Sequence, residues 1–90
     1  MIDVSVVDNP DENRFEIRVG GQLGGFAAYR LRDGAVVITH TEIDPAHRGE
    51  GLGQELARQT LDQLSSRSVP VVLVCPFFTA YVKKHPESQV

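Results

Sequence analysis

The chain has no tryptophan, one methionine and one cysteine in its 90 residues, and aromatic residues make up only 7% of it. A single cysteine, Cys75, excludes an internal disulfide, which fits a reducing compartment. Long apolar runs are missing as well: Val69 to Cys75 falls far short of the ~20 residues needed to cross a bilayer, so no membrane span is expected. Neither charge sign dominates. Nine Lys and Arg against twelve Asp and Glu give a net charge of −3, with the basic residues scattered, which removes the electrostatic footprint of a nucleic-acid binder. Met1-Ile-Asp-Val-Ser lacks the basic segment and apolar run of a secretory signal, so a cytoplasmic protein is expected. What remains is an ordinary globular composition, 41% hydrophobic and 23% charged, read as one domain over residues 1–90.

Hydrophobic periodicity divides the chain into elements. Ile2, Val4 and Val6 alternate with Asp3 and Ser5 as a first strand, ended by the turn formers Asp8-Asn9-Pro10-Asp11. Phe15, Ile17 and Val19 alternate with Glu16 and Arg18 as a half-buried second strand stopping at Gly20-Gly21. A third runs from Leu23 to Leu31, with Gly24-Gly25 marking a bulge or a close backbone approach, and turns at Arg32-Asp33-Gly34. Ala35 to Glu42, rich in β-branched residues, is the strongest strand. From Leu52 the period changes to that of a helix, with Leu52, Leu56, Ala57, Thr60, Leu61 and Leu64 on one face. Val69 to Val74 reads as a strand buried on both faces and parallel to the fourth, and Phe77 to Lys84 as a short last helix. The expected fold is α/β (α+β): a four-stranded antiparallel meander, a crossover helix, a parallel fifth strand and a C-terminal helix.

The segment between the strongest strand and the main helix, Asp44-Pro-Ala-His-Arg-Gly-Glu-Gly-Leu-Gly-Gln54, carries the functional signal. Gly49, Gly51 and Gly53 remove Cβ atoms where the helix begins, so backbone N–H groups can converge on an anion that the helix dipole also favours, and Arg48 can add a charge-assisted contact. The alternative is a tight strand-to-helix turn with no ligand. Two known phosphate loops fail on spacing. A Walker loop needs Lys-Ser/Thr after its glycine, and Gln54 follows Gly53; a Gly-x-Gly-x-x-Gly fingerprint counted from Gly49 or Gly51 reaches Gln54 or Leu56. Arg48-x-x-Gly51-x-Gly53 fits a third pattern, the Arg/Gln-x-x-Gly-x-Gly/Ala loop of GNAT acetyltransferases.

The likeness extends beyond the loop. From Ile38 to Glu87 the chain resembles a group of very small GNAT-like N-acetyltransferases, through Thr39-His40-Thr41-Glu42, the loop Arg48 to Gly53, and Val74-Cys75-Pro76-Phe77 leading into Ala80-Tyr81-Val82-Lys83-Lys84-His85-Pro86-Glu87. The resemblance implies a reduced fold that keeps the acetyl-CoA half and little of an acceptor pocket. It implies that the fourth and fifth strands splay around the pantetheine arm, that backbone groups of Glu42, Ile43 and Asp44 meet its amides, and that Arg48, Gly49, Glu50, Gly51, Leu52 and Gly53 hold the pyrophosphate. Phe77 and Lys84 complete the expected cofactor contacts. Acetyl transfer from acetyl-CoA to an amine is the implied reaction, with a non-catalytic CoA- or acyl-CoA-binding module or sensor as the alternative.

Four side chains are candidate catalysts, each with a bland alternative. Cys75 is a nucleophile that could carry the acetyl group, with His40 as its base, or a small apolar lining residue. Tyr81, by the resemblance, protonates the departing thiolate, or it is an amphipathic core residue. Glu42 is a carboxylate base or a solvated strand end, and His40 a base or a hydrogen-bonded strand histidine. His47, His85 and Cys75 have no metal-ligand spacing, so no metal is expected.

Overall fold

The computed structural model describes residues 3–88. Four strands follow in succession, β1 (Val4–Asn9), β2 (Arg14–Val19), β3 (Gln22–Arg32) and β4 (Ala35–Ile43), then helix α1 (Leu52–Arg67), strand β5 (Val71–Leu73) and helix α2 (Pro76–Lys84), with 3-10 turns at Pro45–His47 and Pro86–Ser88. The sheet order is β1-β2-β3-β4-β5. The first four strands pair antiparallel with their neighbours and β5 pairs parallel to β4, as the meander and crossover reading predicts. Both two-residue turns of the meander, Gly20-Gly21 and Asp33-Gly34, have positive φ at both positions, the twist that suits a tight hairpin.

Alternation sorts the side chains of the sheet onto two faces. Phe15, Ile17, Ala27, Tyr29, Val36 and Ile38 are buried on one face against Leu52, Leu56, Ala57, Leu61 and Leu64 of α1 and Phe78 and Tyr81 of α2, so both helices cover the same side. The six α1 residues expected on the apolar face are the six that are buried. Among the described residues no helix lies over the other face. There the buried carboxylate of Glu16 accepts from Asn9, Arg14 and Arg18. Burial alone raises its pKa, but the hydrogen bonds from Arg18, Arg14 and Asn9 together outweigh burial and hold it at about 2.

The structure departs from the sequence reading in three places. β1 continues through Asp8 and Asn9, because Asp8 accepts from the Tyr29 hydroxyl at 2.7 Å and pairs with Arg67 at 3.0 Å; Ile2 lies outside the described residues. The bulge expected at Gly24-Gly25 is present, since Ile17 pairs with Gly25 and Arg18 with Leu23, leaving Gly24 unpaired. A second one, not foreseen, leaves Thr39 of β4 without a partner between Ile38 and His40. Finally, β5 is not buried on both faces. It is a three-residue edge strand, and Val72, 48% exposed, points to the face that no helix covers among the described residues, while Val71 and Leu73 pack against the core; Val74, just past the strand, is 59% exposed.

Candidate functional site

The site begins where β4 and β5 part. Their ladder runs only from Val36↔Val71 to Ile38↔Leu73. The N–H groups of Val74 and Cys75 both donate to the Ile38 carbonyl, at 3.0 and 2.9 Å, and the chain then turns into α2. β4 meanwhile continues to Ile43, so from Thr39 onward no strand among the described residues pairs with it on that side. Asp44 N–H donates to the Gly24 carbonyl at 2.8 Å. In an antiparallel ladder alternate residues bond the same neighbour, so Glu42 and His40 also turn their backbone groups toward β3, and Thr41 and Ile43 turn theirs into the gap.

At the foot of this gap the chain folds into a donor-rich turn. Asp44 caps the 3-10 turn by accepting from Ala46 N–H at 2.9 Å, and its carbonyl accepts from His47 N–H at 2.8 Å. The chain then takes positive φ at Gly49 (81°) and at Gly51 (77°), the latter the N-cap of α1 with no capping side chain. The first helical bond is from Glu55 N–H to the Gly51 carbonyl at 3.2 Å. Among the described residues no group accepts from the N–H of Gly49, Gly51, Leu52, Gly53 or Gln54. A Cβ added at Gly49 or Gly51 would meet no atom within 4 Å, so the space above them is open. Gly53 differs: its Cβ would lie 2.8 Å from Cζ of Phe77, so this glycine admits the Phe77 ring. Arg48 is exposed and forms no ion pair among the described residues.

A depression of about 290 Å³ joins these groups, with Ile43, Arg48, Gly49, Gly51, Leu52, Gly53 and Phe77 all on its wall. Of the other expected cofactor residues, Glu50 is turned to His47, whose Nδ1 lies 2.8 Å from its carboxylate. Both backbone groups of Asp44 are spent within the chain. Lys84 lies in an adjoining depression of about 80 Å³ that shares Gln54 and Phe77 with the first. His47 and Gln54 also line the cradle, and sequence reasoning had assigned neither. Their position inside the loop segment was the available signal.

The candidate catalysts separate onto two sides of β4. Cys75 is 2% exposed and its Sγ lies 3.2 Å from Oγ1 of Thr41, a residue that sequence reasoning gave no role. His40 lies on the open face, with Nε2 3.0 Å from Oε2 of Glu42 and its ring edge-on to Phe26. Alternation along β4 puts His40 and Glu42 opposite Thr41, so the expected pairing of His40 as base with Cys75 does not form. Tyr81 is buried in the core cluster and stacks on His85 with ring centroids 4.4 Å apart, and no hydrogen bond joins it to Cys75, His40 or Glu42. Among the described residues there is no group of three or more His, Cys, Asp or Glu placed to hold a metal ion, and no helix long and apolar enough to cross a membrane.

Comparison with known proteins gives this geometry a family. Residues 14–90 match the family described as GCN5-related N-acetyl-transferase. Protein NATD1 of Mus musculus is 35% identical over 92 residues, covering 96% of this chain and 80% of that protein. Protein NATD1 of Gallus gallus has the same identity and coverage. Protein NATD1 of Homo sapiens is 35% identical over 54 residues, 60% of this chain and 48% of that protein. The matched span takes in the parting strands, the glycine loop and both helices, and the chain belongs to the GCN5-related N-acetyltransferase family.

Proposed function

We propose that this chain binds acetyl-CoA in the cradle between Ile43 and Phe77 and transfers the acetyl group to an amine. The observation that carries the reading is the set of N–H groups at Gly49, Gly51, Leu52, Gly53 and Gln54 left unpaired among the described residues, on a depression that Arg48 also lines and with open space over Gly49 and Gly51. Such donors at the start of a helix, with a guanidinium next to them, suit a pyrophosphate. The backbone groups that Thr41 and Ile43 turn into the gap suit an amide-bearing arm lying where a neighbouring strand would lie. Bound acetyl-CoA supplies an activated acyl carbon.

The residues of the chain supply binding and proton handling. A second depression, about 260 Å³, lies where β3 meets the end of β4, and Ile43 lines both it and the cradle. Leu23, Phe26 and Pro45 give it apolar walls, and its two charged residues are Glu42 and Asp44, a lining that favours an alkylammonium acceptor. Glu42, held by His40, is the exposed group that takes the proton such an ammonium must lose. Direct transfer is favoured over an acetyl-cysteine because no histidine or carboxylate bonds to Cys75, whose partner is Thr41. That same bare gap face favours a second reading, a CoA-binding module without chemistry of its own.

Calorimetric titration with acetyl-CoA and with CoA, beside a Gly51→Arg variant, tests the cradle. Binding by the wild type and its loss in the variant is the expected result, and no binding by the wild type removes both readings. Turnover of an alkylamine then separates transferase from module.

A further inference from the structure

The loop that forms the cradle carries a histidine set into its wall. From Asp44 to Glu50 every residue is exposed except His47, whose side chain is 27% exposed. Its backbone is gripped from both directions: the His47 N–H donates to the Asp44 carbonyl at 2.8 Å, and the His47 carbonyl accepts from Glu50 N–H at 3.3 Å. His47 lines the depression of about 290 Å³ together with Arg48, Gly49 and Gly51, whereas Glu50 does not. Resting on the acetyl-CoA reading of this cradle, we propose that His47 is a pyrophosphate contact that acts in its doubly protonated form, so that cofactor affinity falls as pH rises through neutrality.

The bond to Glu50 decides what the ring can offer. Nδ1 of His47 lies 2.8 Å from Oε1 of Glu50. A carboxylate only accepts, so Nδ1 carries the proton in that bond. The neutral ring then has a bare lone pair at Nε2, the ring nitrogen with no partner among the described residues. A pyrophosphate oxygen also only accepts, so it is repelled by that lone pair. One proton taken from solvent turns Nε2 into a charged donor, and the anion gains a second cationic contact beside Arg48. Binding of the anion and uptake of the proton are therefore linked, and each favours the other.

No other group around the ring competes for this role. The charged neighbours are Glu50 at its Nδ1, Arg48 next in the chain, and Asp44, whose carboxylate accepts from Ala46 N–H at 2.9 Å. Of these residue types histidine alone ordinarily changes charge between pH 6 and 8. The remaining walls of the cradle, Ile43, Leu52, Gln54 and Phe77, do not titrate. The next histidine, His85, lies in the adjoining depression with Lys84.

Calorimetric titration with dephospho-CoA tests the proposal, because this probe keeps the pyrophosphate and lacks the phosphomonoester whose own ionisation falls at about pH 6. For the wild type, affinity is expected to fall about five- to tenfold from pH 6 to pH 8, the loss of one charge-assisted contact. A net uptake of protons at pH 7, read from the dependence of the binding enthalpy on the ionisation enthalpy of the buffer, is expected with it and needs no variant. His47→Gln leaves a neutral donor in place of a titrating one, so it is expected to bind with the same affinity at every pH in this range and to take up no proton. Wild-type binding that ignores pH and takes up no proton, or an uptake that survives in His47→Gln and so belongs to His85 or another group, overturns the role of His47 and leaves the cradle standing. No binding at any pH removes the cradle and this contact together.

Discussion

Gly53→Ala separates the two reasons a glycine can stand in the loop. The new Cβ would lie 2.8 Å from Cζ of Phe77, against an ordinary carbon contact of about 3.5–4.0 Å, so the ring end must move by about 1 Å. Phe77 is 40% exposed, which leaves it room to swing. Full burial of such a side chain is worth about 1.5–3 kcal/mol, so disturbing one already part exposed costs at most about 1–2. Against that, alanine gains up to about 1 kcal/mol over glycine in a helix. The net change is within about 1 kcal/mol, or about 8 °C in Tm for a domain this size.

Cofactor affinity should respond far more, because the displaced ring forms a wall of the cradle: a loss of tenfold or more for acetyl-CoA is expected by calorimetry. Phe77→Leu removes the clashing atom. The double variant Gly53→Ala/Phe77→Leu should therefore bind better than the sum of the single effects allows, with a coupling of about 1 kcal/mol. A Tm loss above about 15 °C would mean the ring is locked in place. Strictly additive effects on binding would refute the contact as the reason for this glycine.

Other outcomes follow from the two faces of the sheet. The Glu16 carboxyl is held at about 2 against 4.5 for the free group, because the bonds from Arg18, Arg14 and Asn9 outweigh the burial that raises it. A folded pKa below the unfolded one stabilises in full above about pH 4.5 and is lost as pH falls toward 2, about 3 kcal/mol in all. The difference in urea-unfolding free energy between wild type and Glu16→Gln should accordingly shrink from pH 6 to pH 2.5, and a constant difference would contradict it. For the gap, Thr41→Val should change the rate at which iodoacetamide alkylates Cys75 while His40→Ala leaves it unaltered, and the reverse order would restore His40 as the base. Cys75→Ala should keep amine acetylation with a stability loss of about 1 kcal/mol, and a dead but folded variant with an acetylated wild-type Cys75 by mass spectrometry would establish the covalent route.

The fold was legible where a local pattern decides it. Two-residue turns with glycine, period-two strands and the helical stripe from Leu52 to Leu64 depend on neighbours in sequence, and each appears in the structure. β5 was misjudged because an apolar run shows what a strand could bury, not whether both of its faces are covered; both helices pack on one face of the sheet and leave Val72 on the other. Glu16 escaped notice for the same reason. Arg14 and Arg18 stand two residues to either side of it on β2, and only Asn9 reaches it from β1, so its burial comes from the cross-strand neighbours of that face and not from its own alternating strand.

The loop was legible for a different reason. Positive φ at Gly49 and Gly51 and a helix with no capping side chain are local properties, and they alone leave the donors at the start of α1 free. Side-chain chemistry at the gap was not local. His40, Thr41 and Glu42 are consecutive, and the strand period already sends Thr41 to the other side from its neighbours. Which side meets Cys75 is settled only by α2 beginning at Pro76, directly after the two hydrogen bonds that Val74 and Cys75 N–H donate to the Ile38 carbonyl, on the face that α1 covers. A histidine beside a cysteine in a list of reactive residues is therefore weaker grounds for a dyad than the threonine between His40 and Glu42, which shares the cysteine's face and touches it.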